Sequence, residues 1–179
     1  MEYKMIRKAK KEDVESIVKI YDEILTEEEA GRMATGWIRG VYPTEKVALT
    51  ALEKGDLFVY EENGVILASM RINKEITPEY DLAEWEFEAG EDEYTVLHLL
   101  TVSPSAKGRG IGRKMLEFYE DFARQNGSKY LRMDTNERNV RAREIYAKYG
   151  FKETGVFPCE FNGIEGVKLV CLEKLIRNS

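Results

Sequence analysis

Residues 105–116 read SAKGRGIGRKML. Gly108, Gly110 and Gly112 alternate with other residues between an apolar run, LLTVSP at 99–104, and a helical pattern formed by Ile111, Met115, Phe118, Tyr119 and Phe122. A strand that turns into a helix through bare backbone leaves the first helical N–H groups without partners. It also puts the positive end of the helix dipole at the turn. Glycines let an anion approach that backbone with no Cβ in the way. No acidic residue occurs from Thr101 to Leu116, whereas Lys107, Arg109, Arg113 and Lys114 do, in a chain of formal net charge −6. A simple turn needs one glycine. Three glycines with a local reversal of charge point to a phosphate.

The periodicity around this loop predicts an α/β (α+β) mixture around one central sheet. A strand is expected over 4–8, and a helix over 12–26 from Val14, Ile17, Tyr21, Ile24 and Leu25. A loop should follow to Pro43, then a second helix over 45–54 with Thr44 as N-cap and Gly55 as its stop. Asn63-Gly64 separates two strands of a hairpin. Further strands are expected over 93–102 and at KYLRMDT, with helices from Ile111 to about Asn126 and from Asn139 to Tyr149. GFKETGVFP and GVKLVCLEK should close the sheet as an antiparallel pair. One domain over 1–179 accommodates all of this.

Composition excludes several classes. The acidic balance argues against a nucleic-acid binder. No apolar run is long enough to span a membrane, and the first residues lack a secretory pattern. One histidine and two cysteines, Cys159 and Cys171, without metal-ligand spacing argue against a zinc site. Two unpaired thiols fit a reducing, cytoplasmic compartment.

The spacing also sorts the phosphate loops. The Walker pattern fails, because five residues after Gly108 comes Arg113. The Rossmann pattern fails because the third glycine falls at Gly112, one place early. What remains, Lys107-x-x-Gly110-x-Gly112, resembles the pyrophosphate loop of the GCN5-related N-acetyltransferase (GNAT) superfamily, usually Q/R-x-x-G-x-G/A. Lys107 is a departure that keeps the charge. The segment NVRAREIYAKYGF, 139–151, resembles that family's later motif through Asn139, Tyr146, Gly150 and Phe151, and LLTVSP resembles its strand before the loop. The resemblance runs from Met5 to Leu172 and is most specific across 97–151.

The resemblance implies a mixed, mostly antiparallel sheet of six to seven strands flanked by about four helices, with strands 4 and 5 splayed. It implies acetyl-CoA as co-substrate, with no metal. The backbone of Leu100 and Val102, with Thr101 between them, would hold the pantetheine arm, and the Leu100 N–H would face the thioester oxygen. The pyrophosphate would lie on Lys107, Gly108, Arg109, Gly110, Ile111, Gly112 and Arg113. Asn139 would contact the pantetheine while capping its helix. Tyr146 matches the acid that protonates the departing thiolate, a group of pKa near 8.5 against about 10 for a phenol.

The proton acceptor stays open. His98 resembles a catalytic histidine of the family's arylalkylamine branch, and strict strand alternation would put His98, Leu100 and Val102 on one face. Glu84, Glu86 and Glu93 are rivals, and so is water. The acceptor pocket is expected from Trp37, Arg39 and Tyr42, from a hairpin loop at 159–166, and from residues 75–93, which hold nine acidic residues and no Lys or Arg. Such a segment would steer a cationic amine. The expected activity is N-acetylation of a small-molecule or peptide amine. The alternatives are a CoA-binding sensor without catalysis and, against the spacing, a nucleotide-binding regulator. Homodimers are frequent in the family.

Overall fold

The computed structural model describes residues 5–178. Its elements are β1 (Ile6–Lys8), α1 (Val14–Glu29), α2 (Glu45–Lys54), β2 (Leu57–Glu62), β3 (Val65–Asn73), β4 (Tyr94–Val102), α3 (Ile111–Gln125), β5 (Tyr130–Asn136), α4 (Val140–Tyr149), β6 (Lys152–Phe161) and β7 (Ile164–Leu175). The order is the expected one, and the strands form one sheet, β1-β2-β3-β4-β5-β7-β6. All neighbours are antiparallel except β4 and β5. The expected first strand included Lys4, which lies outside the described residues. Helix α1 runs three residues beyond its expected end. Thr44 takes the N-cap position of α2 with an extended backbone, but its side chain makes no capping bond.

Each face of the sheet carries its own apolar cluster. On one, Ile111, Met115, Leu116 and Tyr119 of α3 and Tyr146 of α4 pack on Met70, Leu97, Leu131 and Met133. On the other, α1 and α2 cover the β2 end through Ile17, Tyr21, Ala48 and Ala51. The β5–β7 end of that face is covered by Tyr80 and Trp85 over Val96, Leu169 and Cys171.

Two irregularities in β4 shape the centre of the molecule. First, β4 and β5 pair only at Tyr94↔Tyr130, Thr95↔Leu131 and Val96↔Arg132. Beyond that the strands part, β4 held by β3 and β5 by β7. The buried Tyr119 hydroxyl marks the fork, 2.6 Å from the Thr95 carbonyl and 3.0 Å from that of Arg132. Second, β4 bulges. Arg71 pairs with His98 and Ser69 with Thr101, so three steps on β4 match two on β3, and Leu99 takes φ 51°. That conformation in a residue with a branched side chain costs on the order of 1–3 kcal/mol.

The bulge overturns the expected alternation. His98 and Thr101 share the face of Ser69 and Arg71, whereas Leu100 and Val102 pack against the opposite cluster. One inserted residue reverses the parity of everything after it.

Residues 75–93 reach the pocket only at their start, through Glu75, Ile76 and Thr77. After a 3-10 turn (Pro78–Leu82), Ala83, Trp85, Phe87 and Ala89 turn inward while Glu84, Glu86 and Glu88 face solvent. The buried Arg132–Glu173 pair, at 2.9 Å, pins this ribbon. Glu173 accepts from the Glu86 and Phe87 N–H groups, and Arg132 donates to the Phe87 carbonyl with its guanidinium 4.3 Å from the Trp85 ring. Sequence composition records nine carboxylates here; the fold uses the residues between them.

The last hairpin is also tighter than expected. Its loop is only Asn162-Gly163, with φ 52° and 77°, the conformation also taken by Asn63-Gly64 at 52° and 78°. Both pairs form turns in which the two central residues need positive φ.

Candidate active site

A cavity of about 1180 Å³ passes through the sheet at the fork. On the α3/α4 face its wall consists of Leu100, Val102, Lys107, Gly108, Gly110, Ile111, Gly112, Arg113, Asn139 and Tyr146. On the other face it is lined by Trp37, Tyr42, Arg71, Glu75, Thr77, His98, Asp134 and Phe161. Thr101 is also on the wall. Tyr146, His98 and every residue expected to hold the cofactor are therefore brought to one space except Arg109, whose side chain is turned onto Glu62 of β2.

The α3 side is built from main chain. Gly108 and Gly110 hold φ of 81° and 74°, and Gly110 precedes the first turn of α3. The N–H groups of Ile111, Gly112 and Arg113 then have no acceptor within the helix. A Cβ on Gly112 would meet only Val102 Cγ2, at 3.9 Å, so Gly112 faces open space with an ordinary helical backbone. Leu99 and Leu100 have no Cα partner in either register, since the β3 pairing skips them and β5 has already diverged. This is exposed main chain along an elongated slot, ending in a cationic helix start. It suits a diphosphate on a flexible amide-bearing arm, and the Gly112 cradle is one that any side chain would fill. Asn139 Oδ1 accepts the Ala142 N–H at 3.3 Å, which leaves its Nδ2 for a ligand. Tyr146 lies beneath, edge-on to Phe151 at 6.2 Å. Burial first, then the charge of Asp134, raises its phenol well above the usual range, so it enters any reaction protonated.

The opposite side is built from side chains. His98 Nε2 sits 2.8 Å from Asn73 Oδ1. Burial, then the neighbouring Arg71 charge, lowers its pKa to about 4. The ring is neutral at pH 7 but a poor base. Arg71 is held by Asp56 at 3.2 Å. Glu84, Glu86 and Glu93 do not reach the wall; Glu86 pairs with Lys152 and Glu93 with Lys129. Arg39 is likewise directed away, onto Asp22, Glu29 and Thr26.

Sequence reasoning missed Asp134. It lies two residues past Arg132 on β5, as His98 lies two past Val96 on β4, so the two flank the fork at equal depth on one face. Asp134 accepts from the Tyr80 hydroxyl at 2.7 Å. Burial pushes its carboxyl up to about 6, and the Tyr80 hydrogen bond holds it below where burial alone would take it. The signal available was Arg132 and Asp134 alternating with Leu131 and Met133 in a strand central to the sheet. Such strands are covered on both faces, so a charge on either face needs a partner or a task. Here Arg132 has the partner.

Comparison with known proteins gives the same outline. The profile of the Acetyltransferase (GNAT) family matches residues 15–151. The N-acetyltransferase YhfO of Bacillus subtilis is 38% identical over 58 residues, 32% of this chain and 39% of that protein. The match thus spans about two-fifths of that relative's length. A GNAT-family acetyltransferase structure from Streptococcus agalactiae superposes with a TM-score of 0.79 at 21% identity, covering 97% of this chain and 95% of that one. YncA from Salmonella typhimurium, solved with its cofactor acetyl-CoA, gives 0.68 at 21% identity, covering 97% and 94%.

Proposed function

The chain belongs to the acetyltransferase (GNAT) family, and on that premise we propose that it transfers the acetyl group of acetyl-CoA to a primary amine by direct attack across the fork. The observation that carries this is the division of one cavity between unpaired main-chain donors on one face of the sheet and a half-buried carboxylate of raised pKa on the other.

Acetyl-CoA supplies an acetyl group activated as a thioester. The helix start at Ile111–Arg113 and the glycines before it bind the pyrophosphate, with Lys107 adding charge. Leu99 and Leu100 donate to the arm, and the Leu100 N–H stabilises the negative charge that builds on the thioester oxygen, an effect worth roughly 3–4 kcal/mol for one donor.

A protonated amine of pKa near 10.4 has to lose a proton before or during attack. Asp134, ionised at neutral pH and the more basic of the two groups flanking the fork, accepts it, and the nitrogen–carbon bond forms as the carbon–sulfur bond breaks. Tyr146 donates to the departing sulfur from the opposite face. His98, with its pKa about 4, orients Asn73 and lines the acceptor side.

Release of free thiol from acetyl-CoA over a panel of amines tests this reading. Amine-dependent release with a limb in kcat/KM near pH 6 is expected. Tight acetyl-CoA binding with no release from any amine would instead make the protein a CoA-binding sensor.

A further inference from the structure

Building on that acyl-transfer reading, we propose that the acceptor is a compact primary amine on an aromatic or branched apolar body, and not the end of a polypeptide chain. The strap at 30–44 carries the first part of the argument. The Glu28 carboxylate accepts from the Thr35 N–H at 2.6 Å, the Thr35 hydroxyl at 2.9 Å and the Gly36 N–H at 3.0 Å. Arg39 ties the far side of the strap to Asp22, Glu29 and Thr26, and Ile38 bridges to Tyr42. The strap is therefore pinned to α1 along its length.

It also abuts what lies opposite. A Cβ on Gly36 would fall 2.3 Å from Asn136 Nδ2, and one on Gly163 would fall 3.4 Å from Val41 Cγ1. The strap thus touches the end of β5 at one point and the tip of the β6–β7 hairpin at another. An extended peptide paired with a strand needs room for a whole backbone about 4.8 Å from it. Neither contact leaves that room.

The enclosed end has a consistent chemistry. Trp37 meets Tyr42 edge-on at 6.2 Å, and Phe161, Ile164 and Leu169 complete the wall. The charges of Arg71 and Glu75 are taken up by Asp56 and Lys54. Among the described residues Asp134 has Tyr80 as its hydrogen-bond partner. Aromatic faces beside a carboxylate hold an ammonium well, and a carboxylate next to the reacting nitrogen would face the charge of Asp134.

The experiment compares kcat/KM for phenethylamine, methylamine, phenylalanine and a tetrapeptide with phenylalanine at its amino end. Phenethylamine should exceed each of the others by at least about tenfold, the discrimination that one or two missing apolar contacts supply. Phe161→Ala should raise KM for phenethylamine by about tenfold or more with the acetyl-CoA dissociation constant unchanged, which also shows the variant folded. Trp37→Ala gives a second, independent reading of the same wall. A tetrapeptide, phenylalanine or methylamine used as well as phenethylamine overturns this acceptor class while leaving acyl transfer intact. Acetyl-CoA binding without thiol release from any of the four, or from any other amine, overturns acyl transfer itself and the acceptor class with it.

Discussion

The two sides of the fork are built by different means. On the α3 side most of the wall comes from two short stretches of sequence, Leu100 to Arg113 and Asn139 to Tyr146, and much of it is main chain. On the strap side the wall is made of side chains from the strap, β3, β4, β5 and β6, remote from one another in sequence. A diphosphate is the same anion in every reaction of this kind, and local backbone geometry suffices for it. An amine differs from one enzyme to the next, so its site is left to side chains whose positions depend on how the whole sheet is covered.

Substitutions sharpen that contrast. The largest effect is expected at Asp134. Asp134→Asn keeps the Tyr80 contact and removes the base, so kcat should fall by roughly 10²–10⁴-fold, with acetyl-CoA affinity by calorimetry unmoved. Stability should move the other way. The folded carboxyl titrates near 6 and the unfolded one near 3.8. Its stabilising contribution is therefore complete below about pH 4 and lost as pH rises through 6. At pH 7 the ionised group costs the native state on the order of 1–3 kcal/mol, so Asp134→Asn should raise Tm at pH 7 and leave it unchanged near pH 3. Retained turnover with chemistry rate-limiting would remove the base from the strap side.

Tyr146→Phe should lower kcat by about 10²-fold without changing cofactor affinity, since the ring stays edge-on to Phe151. Gly112→Val probes the opposite property. Gly110, at φ 74°, would be strained by any side chain, whereas Gly112 has a helical backbone and faces open space. The substitution should raise the acetyl-CoA dissociation constant at least about tenfold, ~1.4 kcal/mol, and spare KM for the amine. Unchanged affinity in the folded variant would mean that this loop does not cradle phosphate.

Smaller effects separate the titrating groups. Tyr80 holds the Asp134 pKa down, so Tyr80→Phe should move the kcat/KM limb upward from about pH 6. His98→Gln should leave that limb in place and change kcat only a few-fold, because a ring titrating near 4 accepts protons poorly. A limb near pH 6 that disappears in His98→Gln but survives in Asp134→Asn would exchange their roles.

By itself the sequence determined the element order, the glycine-rich turn into α3, the Asn139 cap and the presence of Tyr146 on α4. Each follows from interactions within a few residues: glycine's access to positive φ, the free N–H groups at a helix start, the 3.6-residue period. It also contained His98, Asp134 and nine acidic residues at 75–93, but not their uses. Tertiary structure decided those. The bulge at Leu99 turned His98 away from Leu100, and the end of the β4–β5 pairing after Val96 opened the cavity. Packing of Trp85 on Arg132 laid the acidic ribbon flat with its carboxylates outward and carried Tyr80 to Asp134. A strand's partner, and so the burial of each of its side chains, is set by residues far along the chain. Burial in turn fixes which carboxylate ionises late.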